Sequence, residues 1–240
     1  KRVKALVISD VHLGLGISKA AVVDAILTYF DYDILILLGD IFDDSNLKRL
    51  KRGHFDVLKR ISGKSKHGCQ VEWIVGNHDE DIIIILSALV GAETFEEYHW
   101  VYRGKTYLFK HGHQFDSFLF ESPIQTAVAS GIYWFLQHIF GRYADSICKW
   151  LKHKAKGYVR AKEQGACKAL EDAVAQGADY VFCGHTHHAE HVAGNGRHYY
   201  NTGCATESPV TCITIDDDGT IRIHAFGDDG TETNTMTPPQ

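Results

Sequence analysis

The chain has 240 residues, of which 45 % are hydrophobic and 23 % charged, and its formal net charge is −5. These values indicate a globular protein with a substantial core, and the negative charge argues against a protein that binds nucleic acid over a broad basic surface. No apolar run reaches the ~18 residues that a membrane span needs and a strand pattern begins at residue 3, so we expect a cytoplasmic protein that meets a membrane at most peripherally.

Strand and helix patterns alternate through the first half of the chain. Three runs of apolar, mostly β-branched residues predict buried strands, and the segments that follow them have apolar positions at helical spacing. In chain order the predicted elements are a strand at 3–8, a helix at 20–30, a strand at 34–38, a helix at 46–61, a strand at 71–75 and a helix at 81–89. A βαβαβ order of this kind indicates a parallel sheet.

The remaining strand signals include three hairpins and one isolated strand. The strands of the first hairpin lie at 98–102 and 106–110, the isolated strand lies at 180–183, and the later hairpins turn at Gly194-Asn195-Gly196 and at Asp217-Asp218-Gly219.

A long helical segment separates these strand signals. From residue 114 to 176 the pattern is helical throughout, which predicts a helical cap inserted into the core. Residues 227–240 are polar and low in apolar side chains, so we expect a disordered tail there. The predicted core consists of residues 1–113 and 177–226.

Five short polar segments each follow one of the apolar runs. They are Asp10-Val11-His12, Gly39-Asp40, Gly76-Asn77-His78-Asp79, His111-Gly112-His113 and Gly184-His185-Thr186-His187. Because open α/β sheets place their chemistry at the carboxyl ends of strands, we expect these side chains to meet at one edge. Carboxylates, an amide and several imidazoles form a mixed oxygen and nitrogen ligand set that suits Mn, Fe or Zn. The sequence therefore predicts a metal site.

In this order the segments resemble the calcineurin-like metallophosphoesterase family, whose pattern is DxH, GD, GNHD, a later GH-type histidine and GHxH. The resemblance covers residues 1 to about 225, apart from most of the helical insertion. It implies an α/β fold, a two-sheet αββα sandwich with a helical cap insertion. It also implies an enzyme, a hydrolase of phosphoester or pyrophosphate bonds.

The resemblance further implies roles for individual residues. Asp10, His12 and His187 would bind one metal ion, and Asn77, His111 and His185 a second. Asp40 would bridge the two ions. Two cations ~3.5–4 Å apart repel strongly unless an anionic ligand lies between them, so electrostatics also favours a carboxylate at this position. The expected cofactors are two divalent ions, Mn first, with Fe, Zn or Co as alternatives.

The family's catalytic histidine corresponds to His78, which would donate a proton or hydrogen bond to the leaving oxygen. Asp79 would fix the tautomer of His78 from behind. His113 lies near the same edge and is a candidate contact for substrate phosphate.

A narrower resemblance concerns the substrate. The segments 39–43, 111–116 and 200–203, together with the insertion, look like the bacterial UDP-2,3-diacylglucosamine pyrophosphatase group of lipid A synthesis, in which a helical cap holds the acyl chains. Here the insertion supplies apolar, aromatic and cationic side chains, with Trp134, Trp150 and Lys154 as candidate substrate contacts, and it offers a surface for peripheral membrane contact. The alternative is that the insertion only packs on the core, with its lysines in solvent.

Two departures leave the substrate open. The lipid A enzyme usually has Arg where this chain has His78, and Asp where it has His113. The chain also lacks the Arg-Gly pair that typically follows the GD segment of protein Ser/Thr phosphatases, which argues against that class.

Two other functions remain as alternatives. One is a soluble phosphodiesterase or nuclease of small diesters or nucleic acid, although the negative charge gives the nuclease little support. The other is a metal-binding interaction module without catalysis, against which all seven ligand positions and His78 are filled. The sequence does not fix the oligomeric state.

Overall fold

The structure is a computed structural model that describes residues 1–78, 82–115 and 156–239. Four residues with predicted site roles lie outside the described ranges: Asp79, Trp134, Trp150 and Lys154. Most of the predicted cap also lies outside them.

Two sheets and four helices make up the described fold. The strands are β1 (Arg2–Ile8), β2 (Asp31–Leu38), β3 (Gln70–Ile74), β4 (Glu93–Phe95), β5 (Glu97–Tyr102), β6 (Lys105–Lys110), β7 (Tyr180–Cys183), β8 (Glu190–Gly194), β9 (Arg197–Asn201), β10 (Val210–Ile215), β11 (Ile221–Phe226) and β12 (Glu232–Met236). The helices are α1 (Ala20–Tyr29), α2 (Arg52–Lys66), α3 (Ile83–Val90) and α4 (Lys156–Ala175).

One sheet has the strand order β12-β11-β10-β1-β2-β3-β4, and the other has the order β5-β6-β7-β9-β8. Strands β1 to β4 are mutually parallel, as are β6, β7 and β9. The βαβαβ prediction for the first half is therefore confirmed.

The alternation of side chains along each strand sorts the core into three parts. Leu6, Leu35 and Leu37 face α1, α2 and α3, while Val7 and Ile36 face Phe109 and Phe182 of the second sheet. On the outer side of the second sheet, the buried alanines and leucine of α4 pack on β6, β7 and β9. The layers are thus helix, sheet, sheet and helix.

The structure corrects two predicted boundaries and the prediction for the C-terminal segment. The second helix begins at Arg52 rather than 46, because Lys51 is extended and Leu47–Arg49 form a separate 3₁₀ turn capped by Asn46. Helix α4 belongs to the core, since Ala166, Ala169, Leu170 and Ala173 pack in it, so the predicted cap boundary at 176 lies too late. Glu232–Met236 pair with β11, so the tail predicted as disordered contains a strand. Within the described part of the chain, every helix is too short or too polar to span a bilayer.

Candidate metal centre

The carboxyl ends of strands from both sheets meet at the candidate site. Asp10 and His12 follow β1, Asp40 follows β2, and Gly76–His78 follow β3 in the first sheet. In the second sheet His111 follows β6, and His185 and His187 follow β7. The loops are joined by backbone hydrogen bonds, such as His12 N to Asp40 O at 3.0 Å and Gly184 N to His111 O at 2.8 Å. The sandwich therefore brings together residues that are far apart in sequence, such as His12 and His187, which are separated by 175 positions.

Five of these residues have a left-handed backbone conformation. The φ angles are 49° at Asp10, 48° at His12, 52° at Asp40, 65° at His185 and 58° at His187. Such conformations cost roughly 1–3 kcal/mol each outside glycine, and they concentrate at functional sites because the surrounding fold maintains them. The strain thus coincides with the residues that the motifs select.

The first ligand group consists of Asp10, His12 and His187. His187 Nε2 lies 3.2 Å from Asp10 Oδ1 and 3.3 Å from His12 Nε2, and His12 Nε2 lies 4.0 Å from Asp10 Oδ1. Ligands about 2.0–2.2 Å from a metal ion lie roughly 3 to 3.5 Å from one another. The two imidazole nitrogens and the carboxylate are therefore spaced for a single divalent cation.

The second ligand group consists of Asp40, His111 and His185, whose ligand atoms lie within 4.8 Å of one another. His111 Nδ1 donates to the Leu38 carbonyl oxygen at 2.8 Å, which fixes the orientation of the ring and turns Nε2 towards Asp40. That Nε2 is buried and lies 3.2 Å from Asp40 Oδ2 without forming a hydrogen bond. A buried ring nitrogen that faces a carboxylate oxygen without a hydrogen bond between them fits a metal ion as their common partner.

The charges of the site respond strongly to burial and to each other. Burial raises the pKa of the Asp10 carboxyl, but His187 outweighs it, so the pKa lies below its usual range; His111 does the same to Asp40. In return Asp10 raises the pKa of His187 to about 10 and Asp40 raises the pKa of His111 to about 9, against the effect of burial. The two buried carboxylates therefore require positive charge, supplied by these imidazoles or by a cation.

Asp43 links the first ligand group to His78. Its Oδ1 lies 3.5 Å from His12 Nδ1, and its backbone oxygen accepts a hydrogen bond from His78 Nδ1 at 2.8 Å. Arg49 holds the same carboxylate at 2.6 Å. The carbonyl of Asp43 thus orients the His78 ring, a function that the sequence assigned to Asp79, and the carboxylate of Asp43 faces the back of His12.

Hydrogen bonds from hydroxyl and backbone groups hold the Asp10 carboxylate in place. Ser9 Oγ donates to Asp10 Oδ2 and contacts Thr202 Oγ1 at 2.5 Å, and the His185 backbone N donates to Asp10 Oδ2 at 3.0 Å. Asn201 Nδ2 donates to the Gly184 oxygen at 2.6 Å, which holds the loop after β7. Sequence reasoning missed Ser9; the signal was a buried hydroxyl directly before a motif aspartate.

Two further predicted residues border the site. Asn77 is exposed in the turn between Gly76 and His78. The backbone N of His78 donates to Asp40 Oδ1 at 2.9 Å. His113 lies in the 3₁₀ turn His113–Phe115, and its buried Nδ1 has no hydrogen-bond partner among the described residues. Burial and the neighbouring His111 and His185 lower the pKa of His113 to about 4, so the ring is neutral at pH 7.

Comparison with known proteins gives a family match. The model of the family described as calcineurin-like phosphoesterase matches residues 3–189. A search of the curated proteins gives no match.

Solved structures with a similar fold come from diverse sources. A single mutant of Vps29 from Entamoeba histolytica has a TM-score of 0.52 at 16 % identity, covering 98 % of this chain and 99 % of that chain. Vps29 of the same organism complexed with Zn²⁺ has a TM-score of 0.50 at 14 % identity, covering 97 % and 98 %. An archaeal protein described as a novel phosphodiesterase has a TM-score of 0.52 at 13 % identity, covering 92 % and 99 %. These likenesses confirm the predicted two-sheet αββα sandwich and concern the fold alone.

Proposed function

This chain belongs to the calcineurin-like phosphoesterase family, and we propose that it hydrolyses phosphodiester or pyrophosphate bonds with two divalent cations. One observation carries the proposal. Asp40 Oδ2 lies 3.2 Å from His111 Nε2 of one ligand group and 3.9 Å from His12 Nε2 of the other, so a single carboxylate reaches both groups.

The proposed ligands follow from this arrangement. Asp10, His12 and His187 would hold one ion, Asn77, His111 and His185 the other, and Asp40 would bridge them. Bound as a pair, such ions lower the pKa of a shared water and neutralise the phosphoryl oxygens. Imidazole and carboxylate ligands suit Mn, our first candidate, as well as Fe, Zn and Co.

His78 is the proposed proton donor to the leaving oxygen. Its Nδ1 donates to the Asp43 carbonyl, so Nε2 is the nitrogen that can exchange a proton with the substrate. The ring lies 5.0 Å from that of His12, edge on, which keeps His78 beside the first ligand group. Asp79 and His113 remain proposed contributors, to the orientation of His78 and to phosphate contact.

Substitution of the bridging carboxylate tests the proposal. With Mn²⁺ and bis-4-nitrophenyl phosphate, Asp40→Asn and His185→Ala should each lower kcat by at least about 100-fold while the variants stay folded by circular dichroism. Asp56→Asn and His99→Ala, which alter residues outside the site, are the matched controls and should retain full activity. Full activity of either site variant would refute the assignment.

The substrate we propose first is UDP-2,3-diacylglucosamine or a related nucleotide-lipid, on the resemblance of segments 39–43, 111–116 and 200–203 and of the insertion. Peripheral membrane contact through the part of the insertion before α4, residues 114–155, would give access to it. The purified protein with Mn²⁺ should then release UMP from the diacylated substrate.

A small-diester phosphodiesterase is the second candidate. It is favoured by His78, which stands where the lipid A group usually has Arg, and one protein of similar fold is described as a phosphodiesterase. Cleavage of bis-4-nitrophenyl phosphate without UMP release would select this candidate. Salt-sensitive binding to DNA would instead support a nuclease.

A further inference from the structure

Helices α1 and α2 both begin at one small cavity away from the metal ligands. The cavity has a volume of about 340 Å³, and its walls include residues 18–22 at the start of α1 and Lys51, Gly53 and His54 at the start of α2. Asp228, from the loop between β11 and β12, completes the lining. The proposed metal ligands and His78 are not part of these walls, so the cavity is a separate feature of the fold.

The first backbone N–H groups of both helices lack acceptors. In α1 the hydrogen bonds begin with Val22 N, which donates to Lys19 O at 2.9 Å, and in α2 they begin with His54 N, which donates to Lys51 O at 2.9 Å. The N-cap residues are Lys19 and Lys51, whose ammonium groups cannot accept a hydrogen bond as a Ser or Asp cap does. Four N–H groups therefore have no acceptor within the described part of the chain, those of Ala20, Ala21, Arg52 and Gly53. Such groups, together with the helix dipoles, favour an anion.

His54 adds a side-chain donor that independently indicates a ligand. The residue is only 5 % exposed, and its Nδ1 accepts hydrogen bonds from Gly14 N at 3.2 Å and from Lys51 N at 3.1 Å. Because Nδ1 accepts, Nε2 carries the proton, and burial beside Lys51 lowers the pKa of His54 and keeps the ring neutral at pH 7. Nε2 has no hydrogen-bond partner among the described residues, and it is the ring nitrogen left to face the cavity that His54 lines. A buried donor of this kind calls for an acceptor in the cavity.

The charged side chains of the walls leave one cation unpaired. Lys19 Nζ donates to Asp228 Oδ1 at 2.7 Å, and Ser208 Oγ donates to the same oxygen. Lys51, by contrast, has no ion-pair partner in the part of the chain that the structure describes. The start of α1 is thus neutralised by a carboxylate of the protein itself, whereas the start of α2 retains its positive charge.

The size and chemistry of the cavity select the kind of anion. Sites for small molecules begin at about 300 Å³, so the space exceeds what a bare ion needs. A phosphate group carries up to about two negative charges and three acceptor oxygens, which match several backbone donors, an imidazole N–H and a lysine better than a single carboxylate does. Ala20, Ala21 and Val22 provide an apolar wall for a short organic group attached to that phosphate.

We propose that this cavity binds a small phosphate monoester. Its phosphate oxygens accept hydrogen bonds from the free N–H groups of α2 and from His54 Nε2, and they pair with Lys51. The site needs no metal ion and does not rest on the proposed function.

Binding of glycerol 3-phosphate to the metal-free protein in EDTA tests the inference. The backbone amide signals of Ala21 and Gly53 should shift in ¹⁵N-correlated NMR spectra, with a Kd of about 1 mM or below. Glycerol, which lacks the phosphate, should leave both signals in place. Observing these two amides distinguishes the cavity from any phosphate that binds at the empty metal centre.

A matched pair of variants at Gly53 separates charge from volume. A Cβ at Gly53 meets nothing within 4 Å, so a side chain fits there. Gly53→Asp supplies a carboxylate to the free N–H groups of α2 and should lower the affinity for glycerol 3-phosphate at least about tenfold without lowering Tm, because an acidic group is favourable at a helix N-terminus. Gly53→Asn adds the same volume without charge and should keep the affinity within about threefold.

A variant of Asp228 should act in the opposite direction. Asp228→Asn removes a repelling carboxylate and releases Lys19, so the affinity should rise about two- to fivefold. A gain cannot result from damage to the fold, and this exposed position carries the test if a Gly53 variant does not fold. No shift of the Gly53 amide in the unaltered protein, equal affinities of the two Gly53 variants, or no gain in Asp228→Asn would overturn the inference.

Discussion

Asp40 shows how a single buried carboxylate can organise two sheets. It is 2 % exposed, its Oδ1 accepts from the His78 backbone N at 2.9 Å, and its Oδ2 faces His111 at 3.2 Å. Burying an ion costs several kcal/mol unless opposite charge and hydrogen bonds compensate. The first sheet supplies the carboxylate and the second sheet supplies the imidazole, so the site and the packing of the sandwich depend on each other.

Glycine is required where the loop after β7 passes over Asp10. A Cβ at Gly184 would overlap Asp10 Oδ2 and Ser9 Oγ, so Gly184→Ala should displace the carboxylate. We expect Mn²⁺ affinity to fall about 10–100-fold and stability by about 1–3 kcal/mol, measured by calorimetry and urea unfolding.

The control for this prediction is Gly63→Ala in α2, where a Cβ meets nothing within 4 Å. That variant should leave metal affinity unchanged and raise stability by about 0.5–1 kcal/mol, because alanine loses less backbone entropy on folding. Equal effects of the two substitutions would contradict the structural account of Gly184.

The order of the motifs predicted which residues converge, but it did not predict all the residues that hold them in place. Asp10, His12, Asp40, His111, His185 and His187 were predicted to meet, and the structure brings them together; their roles as ligands stay predictions. The contacts of Ser9 and Asp43 could not be predicted, because Thr202 lies 193 residues from Ser9 and His78 lies 35 residues from Asp43. No local periodicity reports such pairings.

At the scale of elements, β12 shows how a polar segment can form a strand. Its one large apolar residue, Met236, is 47 % exposed, so no alternating pattern marks it. Instead Glu232 anchors it: the carboxylate pairs with Lys1 and accepts hydrogen bonds from Tyr29 Oη at 2.9 Å and His224 Nδ1 at 2.6 Å. The strand is held by backbone pairing with β11 and by this polar cluster, which composition alone does not reveal.

Removing the charge of Glu232 should therefore destabilise the protein in a pH-dependent way. Burial raises the pKa of Glu232, but Lys1 and the other donors outweigh it and lower the pKa to about 2. A depressed carboxyl pKa stabilises the fold above the unfolded value of 4.5, and this contribution is lost as the pH falls towards 2.

Glu232→Gln should accordingly cost about 1–3 kcal/mol at pH 7, a cost that shrinks between pH 4.5 and 2. Urea unfolding across this range measures it, with Glu171→Gln as the control. A cost that does not change with pH would contradict the role given to the charge.

The other elements differ in how far their sequence determined them. The strands β1, β2 and β3 were predicted because they are buried on both faces and read as nearly continuous apolar runs. The start of α2 was wrong because helical spacing continues across the extended Lys51. The assignment of α4 to the cap was wrong because a helix that packs on a sheet and a helix in a cap share one amphipathic pattern.

At the scale of the whole molecule, the direction of the strands determines where the site residues meet. Parallel strands in both sheets end at the same place, so carboxylates from the first sheet meet imidazoles from the second. This arrangement places negative charge inside the core, where it must be balanced. The metal-binding state should therefore be coupled to the stability of the whole fold and to pH.

Divalent metal should stabilise the protein and release protons when it binds. In the metal-free protein the pKa of His111 is raised to about 9 and that of His187 to about 10, so both rings hold protons at pH 7. A metal ion requires neutral imidazoles and displaces those protons. Protonated His111 and His187 stabilise the metal-free fold below their unfolded value of 6.5, and this contribution is lost as the pH rises through 9 to 10.

The stabilisation by Mn²⁺ should consequently grow from pH 6 to pH 9. At a free concentration 100 times the Kd it amounts to about 2.7 kcal/mol, or roughly 5–10 °C in Tm for a chain of this size. Differential scanning calorimetry measures the shift, and titration calorimetry in two buffers of different ionisation enthalpy counts the protons. Asp40→Asn should lose most of the shift, whereas Asp56→Asn should retain it. A pH-independent shift without proton release would mean that His111 and His187 do not bind the metal.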